Sequence, residues 1–170
     1  QLHAQASASR MLFGDWLDAI HADTLLRCGQ PEQALRSLER ALPRWRQEQQ
    51  QLALALGEQT LGLVHCCLGS ARIDQARAHF ERAISLMKSQ GQVLPAARAR
   101  VEWAQVLRRC GDREQAAKLE TEAEATLTAA AWQHVAGAIA QAIQHLPWSG
   151  SAAAPPNIPL SASPTAPRRS

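Results

Sequence analysis

Apolar residues recur along this chain at the three- and four-residue spacing of a helix face, and no long Val/Ile/Thr-rich run suggests a strand. Three stretches align with one another: LLRCGQPEQALRSLERAL at 25–42, HCCLGSARIDQARAHFERAI at 65–84 and LRRCGDREQAAKLETEAEATL at 107–127. Each holds an apolar helical stretch, then a glycine, a short polar turn, and a second helix opening near an alanine. The glycines are Gly29, Gly69 and Gly111. The early alanines are Ala34, Ala76 and Ala116, and a further alanine follows seven residues on at Ala41, Ala83 and Ala123. The alanine frame therefore repeats after 42 and then 40 residues. Gly69 stands two residues further from its alanine than the other two glycines do, which marks an insertion and a longer loop at 70–73.

This frame has a geometric reason. A glycine just past a helix end takes the left-handed conformation that closes the helix. Small residues seven apart on one face let the second helix lie close to the first, where a bulky side chain would overpack the crossing at a cost of ~1–3 kcal/mol. One helix pair cannot bury its own apolar face, so pairs stack and share a core. The expected fold is all-α: a right-handed superhelix of about three helix-turn-helix pairs, closed by a C-terminal capping helix. First helices are expected at about 11–28, 48–68 and 94–110, second helices at about 31–45, 73–90 and 113–131, and the cap at about 132–145. Pro31 suits a first-turn position, Pro43 should end or kink its helix near Leu42, and Gly91 closes the second pair. The repeat domain spans 11–146. The segment 147–170 holds six of the nine prolines, with many Ser and Ala, and reads as a disordered tail.

Composition agrees and narrows the function classes. Ala, Leu, Gln, Arg and Glu dominate, Tyr is absent and Phe occurs twice. The net charge is +3, with two positive charges at Arg168 and Arg169; elsewhere the signs are mixed, so no direct nucleic-acid binding is expected. No apolar run approaches the ~18 residues of a membrane span, and residues 1–10 lack the apolar core of a signal peptide. The chain opens on Gln1 and not Met, which reads as a fragment or a processed piece of something longer. Cys28, Cys66, Cys67 and Cys110 read as reduced thiols, which places the protein in the cytoplasm.

Leu61-Gly62 in a first helix, followed by Ala76, Phe80 and Ala83, resembles the tetratricopeptide signature, and Gly29-Ala34-Leu38-Ala41 is similar. The period exceeds the usual ~34 residues. It is similar to long-helix variants in the C-terminal repeat region of bacterial signal-transduction ATPases and of related nucleotide cyclases and transcription regulators; 25–42 and 97–116 carry the likeness, which covers about 15–131. His21, where a large aliphatic is usual, and Glu120, where the second repeat has Phe80, depart from the pattern. The resemblance implies a concave groove lined by the first helices. By register its residues are Trp16, Asp23 and Arg27, then Gln59 and Leu63, then Arg98, Gln105, Arg108 and Arg109. The third-repeat end of that groove is basic and favours an acidic protein or peptide segment, or another domain of the same longer chain.

Catalytic and metal chemistry find little support. No phosphate loop, GxSxG, HExxH or CxxC spacing occurs. Consecutive helix residues point about 100° apart, so His65, Cys66 and Cys67 cannot converge on one metal; no metal and no cofactor is expected. Cys28 and Cys110 share a repeat position, which points to packing. Trp16, Trp103 and Trp132 fall in apolar stripes and read as core. Trp45, between Arg44 and Arg46, reads as half-exposed with the composition of an interface hot spot, and Trp148 reads as solvated. The expectation is a protein-interaction module with no enzymatic activity; the alternative is a self-associating scaffold of helical repeats.

Overall fold

Six turns divide residues 2–148, the part of the chain that the computed structural model describes, into seven α-helices. They are α1 (Leu2–Arg27), α2 (Pro31–Gln47), α3 (Gln51–Cys67), α4 (Ile73–Ser89), α5 (Val93–Cys110), α6 (Arg113–Glu124) and α7 (Ala129–Gln144). No strand occurs among the described residues. Each of α1 to α6 packs against its neighbours in the chain, α1 and α5 also reach α3, and α7 lies mainly on α5.

The turns follow the glycine frame. Gly29, Gly69, Gly91 and Gly111 all have positive φ, and Gly111 closes α5 at φ 92°. The insertion after Gly69 is a 3-10 turn, Ser70–Arg72. The turn between α2 and α3 does the same without glycine: Gln49 sits there at φ 55°. The turn before α7 has no residue of positive φ. Instead the Thr126 hydroxyl donates to the Ala123 carbonyl at 2.7 Å, and Thr128 caps α7 by accepting from the Ala131 N–H at 3.3 Å. These two threonines end α6 at Glu124 and not near 131, and start α7 three residues early. At the other end, α1 extends back to Leu2, beyond the expected start at 11; no Gly or Pro in 2–13 interrupts it.

Pro43 neither ends nor shortens α2, which continues to Gln47. Proline removes one helical hydrogen bond, but Pro43 and Glu39 both face solvent, where an unpaired carbonyl costs far less than in the core. What holds the last turn is Trp45. It is not half-exposed but fully buried (0%), and its Nε1 donates to Asp15 Oδ1 of α1 at 3.0 Å. Arg44 Nη2 donates to the same oxygen at 2.5 Å and to Asp18 Oδ2 at 2.8 Å.

α3 is the centre of the molecule, with 13 of its 17 residues buried. Two glycines in its interior explain how its neighbours approach so closely. A Cβ on Gly57 would lie 2.6 Å from the Trp45 ring, and one on Gly62 would lie 2.6 Å from the Phe80 ring. Phe80 in turn stacks on Trp103 of α5, with centroids 4.9 Å apart. The alanines of the repeat frame are all buried: Ala34 and Ala41 on α2, Ala76 and Ala83 on α4, Ala116 and Ala123 on α6. In the third pair no ring takes the place of Phe80; Leu119 is buried instead, and Glu120 turns to Arg108.

Gly62→Ala is expected to destabilise the protein by about 1–2 kcal/mol, the overpacking against Phe80 exceeding the gain in helix propensity. Gly137 of α7 has nothing within 4 Å of an added Cβ, so Gly137→Ala should stabilise by about 0.5–1 kcal/mol. Thermal unfolding of the two variants checks the opposite signs. In a Phe80→Leu background the cost of Gly62→Ala should shrink.

Candidate functional site

One face of each odd-numbered helix carries a stripe at helical spacing: Trp16, Ile20, Asp23 and Arg27 on α1; Leu56, Gln59 and Leu63 on α3; Leu94, Arg98 and Glu102 on α5. Together with His134, Val135 and Ile139 of α7 these stripes enclose an open cleft of about 520 Å³. Trp16, Asp23, Arg27, Gln59, Leu63 and Arg98, assigned to a groove by register, all line it. Trp16 is not a core residue. It is 42% exposed, and with Ile20 and the 53% exposed Leu94 it forms an uncovered apolar mouth. Exposed aliphatics scattered singly are ordinary; apolar residues gathered at the rim of a cavity are the usual make-up of a binding site.

The charged side chains on the α1 and α5 stripes each have a partner on the cleft wall. Arg27 Nε donates to Asp23 Oδ2 at 2.7 Å. Arg98 Nε donates to Glu102 Oε1 at 3.3 Å, and Gln59 Nε2 donates to Glu102 Oε2 at 2.5 Å. Glu102 is 1% exposed; burial raises its carboxyl above the usual range, against the Gln59 hydrogen bond and the Arg98 charge. Two guanidinium groups therefore face two carboxyl groups.

Gln105, Arg108 and Arg109 do not line the cleft, so its α5 end is not the basic surface expected from the sequence. Arg108 forks onto Glu120 of α6, with Nε 2.9 Å from Oε1. Arg109 lies over the ring of Trp148, 4.4 Å from its centroid. Trp148 is not solvated: its Nε1 donates to the Ile143 carbonyl at 3.1 Å, and its ring packs on the core. Ile139, Ile143 and Leu146 are buried in the same cluster. The tail expected from 147 onward thus begins inside the fold with Pro147 and Trp148; 149–170 lie outside the described residues.

A second polar cluster was not picked out from the sequence. Glu58 of α3 is 2% exposed and accepts from three side chains: Arg46 Nη2 at 3.0 Å, His79 Nδ1 at 2.7 Å and Arg82 Nε at 3.0 Å. Burial alone would raise its carboxyl. The hydrogen bonds and charges of His79 and Arg82 outweigh that and hold it at about 2. The available signal was isolation: between Glu48 and Arg72 no other Asp, Glu, Lys or Arg occurs, and a lone charge in an apolar helix needs partners.

The His65 and His79 rings stack with centroids 5.0 Å apart and planes 16° apart, so their in-plane nitrogen lone pairs cannot meet on one ion. Among the described residues no group of three His, Cys, Asp or Glu side chains could hold a metal. Burial pushes the Cys66 thiol far up and Cys67 to about 12. Cys28 and Cys110 are exposed, so their shared repeat position does not reflect packing. No helix among the described residues is long and apolar enough to cross a membrane. Comparison with protein-family models, with curated proteins and with solved structures finds no match to this chain.

Glu58 titrates at about 2 in the folded protein against an ordinary value of 4.5. Its stabilising contribution is therefore complete above pH 4.5 and is lost as the pH falls toward 2. Glu58→Gln should lower stability near neutral pH by about 3 kcal/mol and flatten the loss between pH 4.5 and 2. Urea titrations across that range check both.

Proposed function

We propose that the cleft is the partner site of a protein-interaction module, built as a right-handed superhelix of tetratricopeptide-like pairs with α7 as its cap. The observation that carries this reading is the uncovered mouth of Trp16, Ile20 and Leu94 over a cavity whose charges are already paired. Such a surface suits an apolar protein segment; a tryptophan is a common energetic anchor of an interface, and the aliphatics beside it add apolar area to bury. The balanced charges shift the expected partner from an acidic segment to a largely uncharged one.

On the resemblance of 25–42 and 97–116, the module is read as the regulatory repeat section of a larger bacterial signalling or transcription-regulating protein, working in the cytoplasm. The segment it binds then belongs to another protein or to another domain of the same chain. No catalytic role is proposed, because neither polar cluster pairs an acid or base with a nucleophile facing open space. Exposed Leu17, Leu52 and Val93, which do not line the cleft, favour self-association as the competing reading.

Peptides selected from a phage-displayed random library against the full chain test the reading. The selected sequences should be aliphatic and poor in charge. Trp16→Ala and Leu94→Ala should each weaken their binding about tenfold, ~1.4 kcal/mol, with the unfolding temperature unchanged. Binding indifferent to both substitutions would sink the assignment of the site. Light scattering that shows concentration-dependent assembly would favour the scaffold.

A further inference from the structure

The complement of this cleft is a short, uncharged, apolar strand, and the chain contains one. Between Glu124 and Arg168 no Asp, Glu, Lys or Arg occurs, and within that span Ile158 and Leu160 stand beside Pro155, Pro156 and Pro159. Extended proline-rich segments lose little entropy on ordering and dock readily against exposed aromatic rings; Trp16 is such a ring at the mouth.

The chain also leaves the described fold at the right place. Trp148 lies over Arg109. Arg98, Glu102, Gln105 and Arg109 recur at helical spacing, so Arg109 continues the α5 face that lines the cleft with Arg98 and Glu102. From Arg109 back to Leu94, α5 is about 22 Å long. The ten residues from Trp148 to Ile158 could reach at most about 33–36 Å. The reach is sufficient, and a tether of that length gives an effective concentration in the ~mM range, so weak contacts suffice.

We propose that residues 155–160 occupy the cleft in cis, with Ile158 and Leu160 against Trp16 and Leu94, and that an incoming protein segment must displace them. This rests on reading the cleft as a groove for protein segments. It adds a built-in competitor: the affinity seen by a partner is the intrinsic affinity reduced by the fraction of molecules whose cleft is open.

The test uses the full chain with a photoreactive benzoylphenylalanine replacing Leu94, irradiated at low micromolar concentration and mapped by mass spectrometry. The expected product is an adduct within one chain, at 155–163. In a chain that also carries Ile158→Asp and Leu160→Asp that adduct should fall at least about tenfold, and the phage-selected peptides should bind more tightly. The proposal is overturned if the adduct is absent, maps elsewhere, joins two chains, or survives the double substitution. Its failure is separable from failure of the groove itself. Peptide binding that still depends on Trp16, with no intrachain adduct, removes the competitor and leaves the groove.

Discussion

Two aromatic rings pressed onto bare backbone set the geometry of this molecule. Trp45 from α2 and Phe80 from α4 meet α3 where it has no side chain, at Gly57 and Gly62. Glycine in a helix interior costs roughly 0.5–1 kcal/mol relative to alanine, so α3 is a poor helix by itself. It persists because its neighbours wrap it, and they approach so closely because the glycines are there. Phe80 passes the contact on to Trp103, so α2, α3, α4 and α5 are linked by a line of rings and glycines. The cleft inherits its width from this line, since the placement of α3 sets the distance between the stripes on α1 and α5.

Buried acids add direction to packing that would otherwise tolerate sliding. Asp15 joins α1 to Arg44 and Trp45 on α2, Glu58 joins α3 to α2 and α4, and Glu102 joins α5 to Gln59 on α3. A buried ion pair is weak evidence for stability, because desolvation offsets much of the attraction. A slip by one residue, however, would leave each carboxylate unpaired, and an unpaired buried charge is far more costly than a poorly packed leucine. We read the three acids as register pins.

The glycine and alanine frame made the helices and most of their turns readable from sequence, while the inward stripes of α1, α3 and the first half of α5 came only from what the resemblance to the repeat family implies. Periodicity decides which residues share a face of one helix; that Trp16, Asp23, Arg27, Gln59, Leu63 and Arg98 meet across three helices was what the resemblance implied. It says nothing of what covers a face. Trp45 looked half-exposed because its flanking arginines are polar, while the space it fills is made by Gly57, twelve residues away on another helix. Arg109 looked available because the ring that covers it, Trp148, sits among prolines and serines. Glu58 stood out in the sequence by its isolation, but its partners, Arg46, His79 and Arg82, lie on two other helices and could not be named from that signal. Gln49 shows the opposite limit: a left-handed turn occupied by a residue that does not announce it.

The pairing of Arg27 with Asp23 and of Arg98 with Glu102 has a kinetic consequence. A cleft lined by one sign of charge casts a field that gathers ligands and orients their approach. This one casts little field beyond its own rim. On the proposed reading, a segment reaches the open cleft by unassisted diffusion, at an unsteered rate on the order of 10⁵–10⁶ M⁻¹s⁻¹. On that reading, discrimination between one occupant and another resides mainly in how long each stays, a dwell time set by the fit of side chains against Trp16, Ile20 and Leu94.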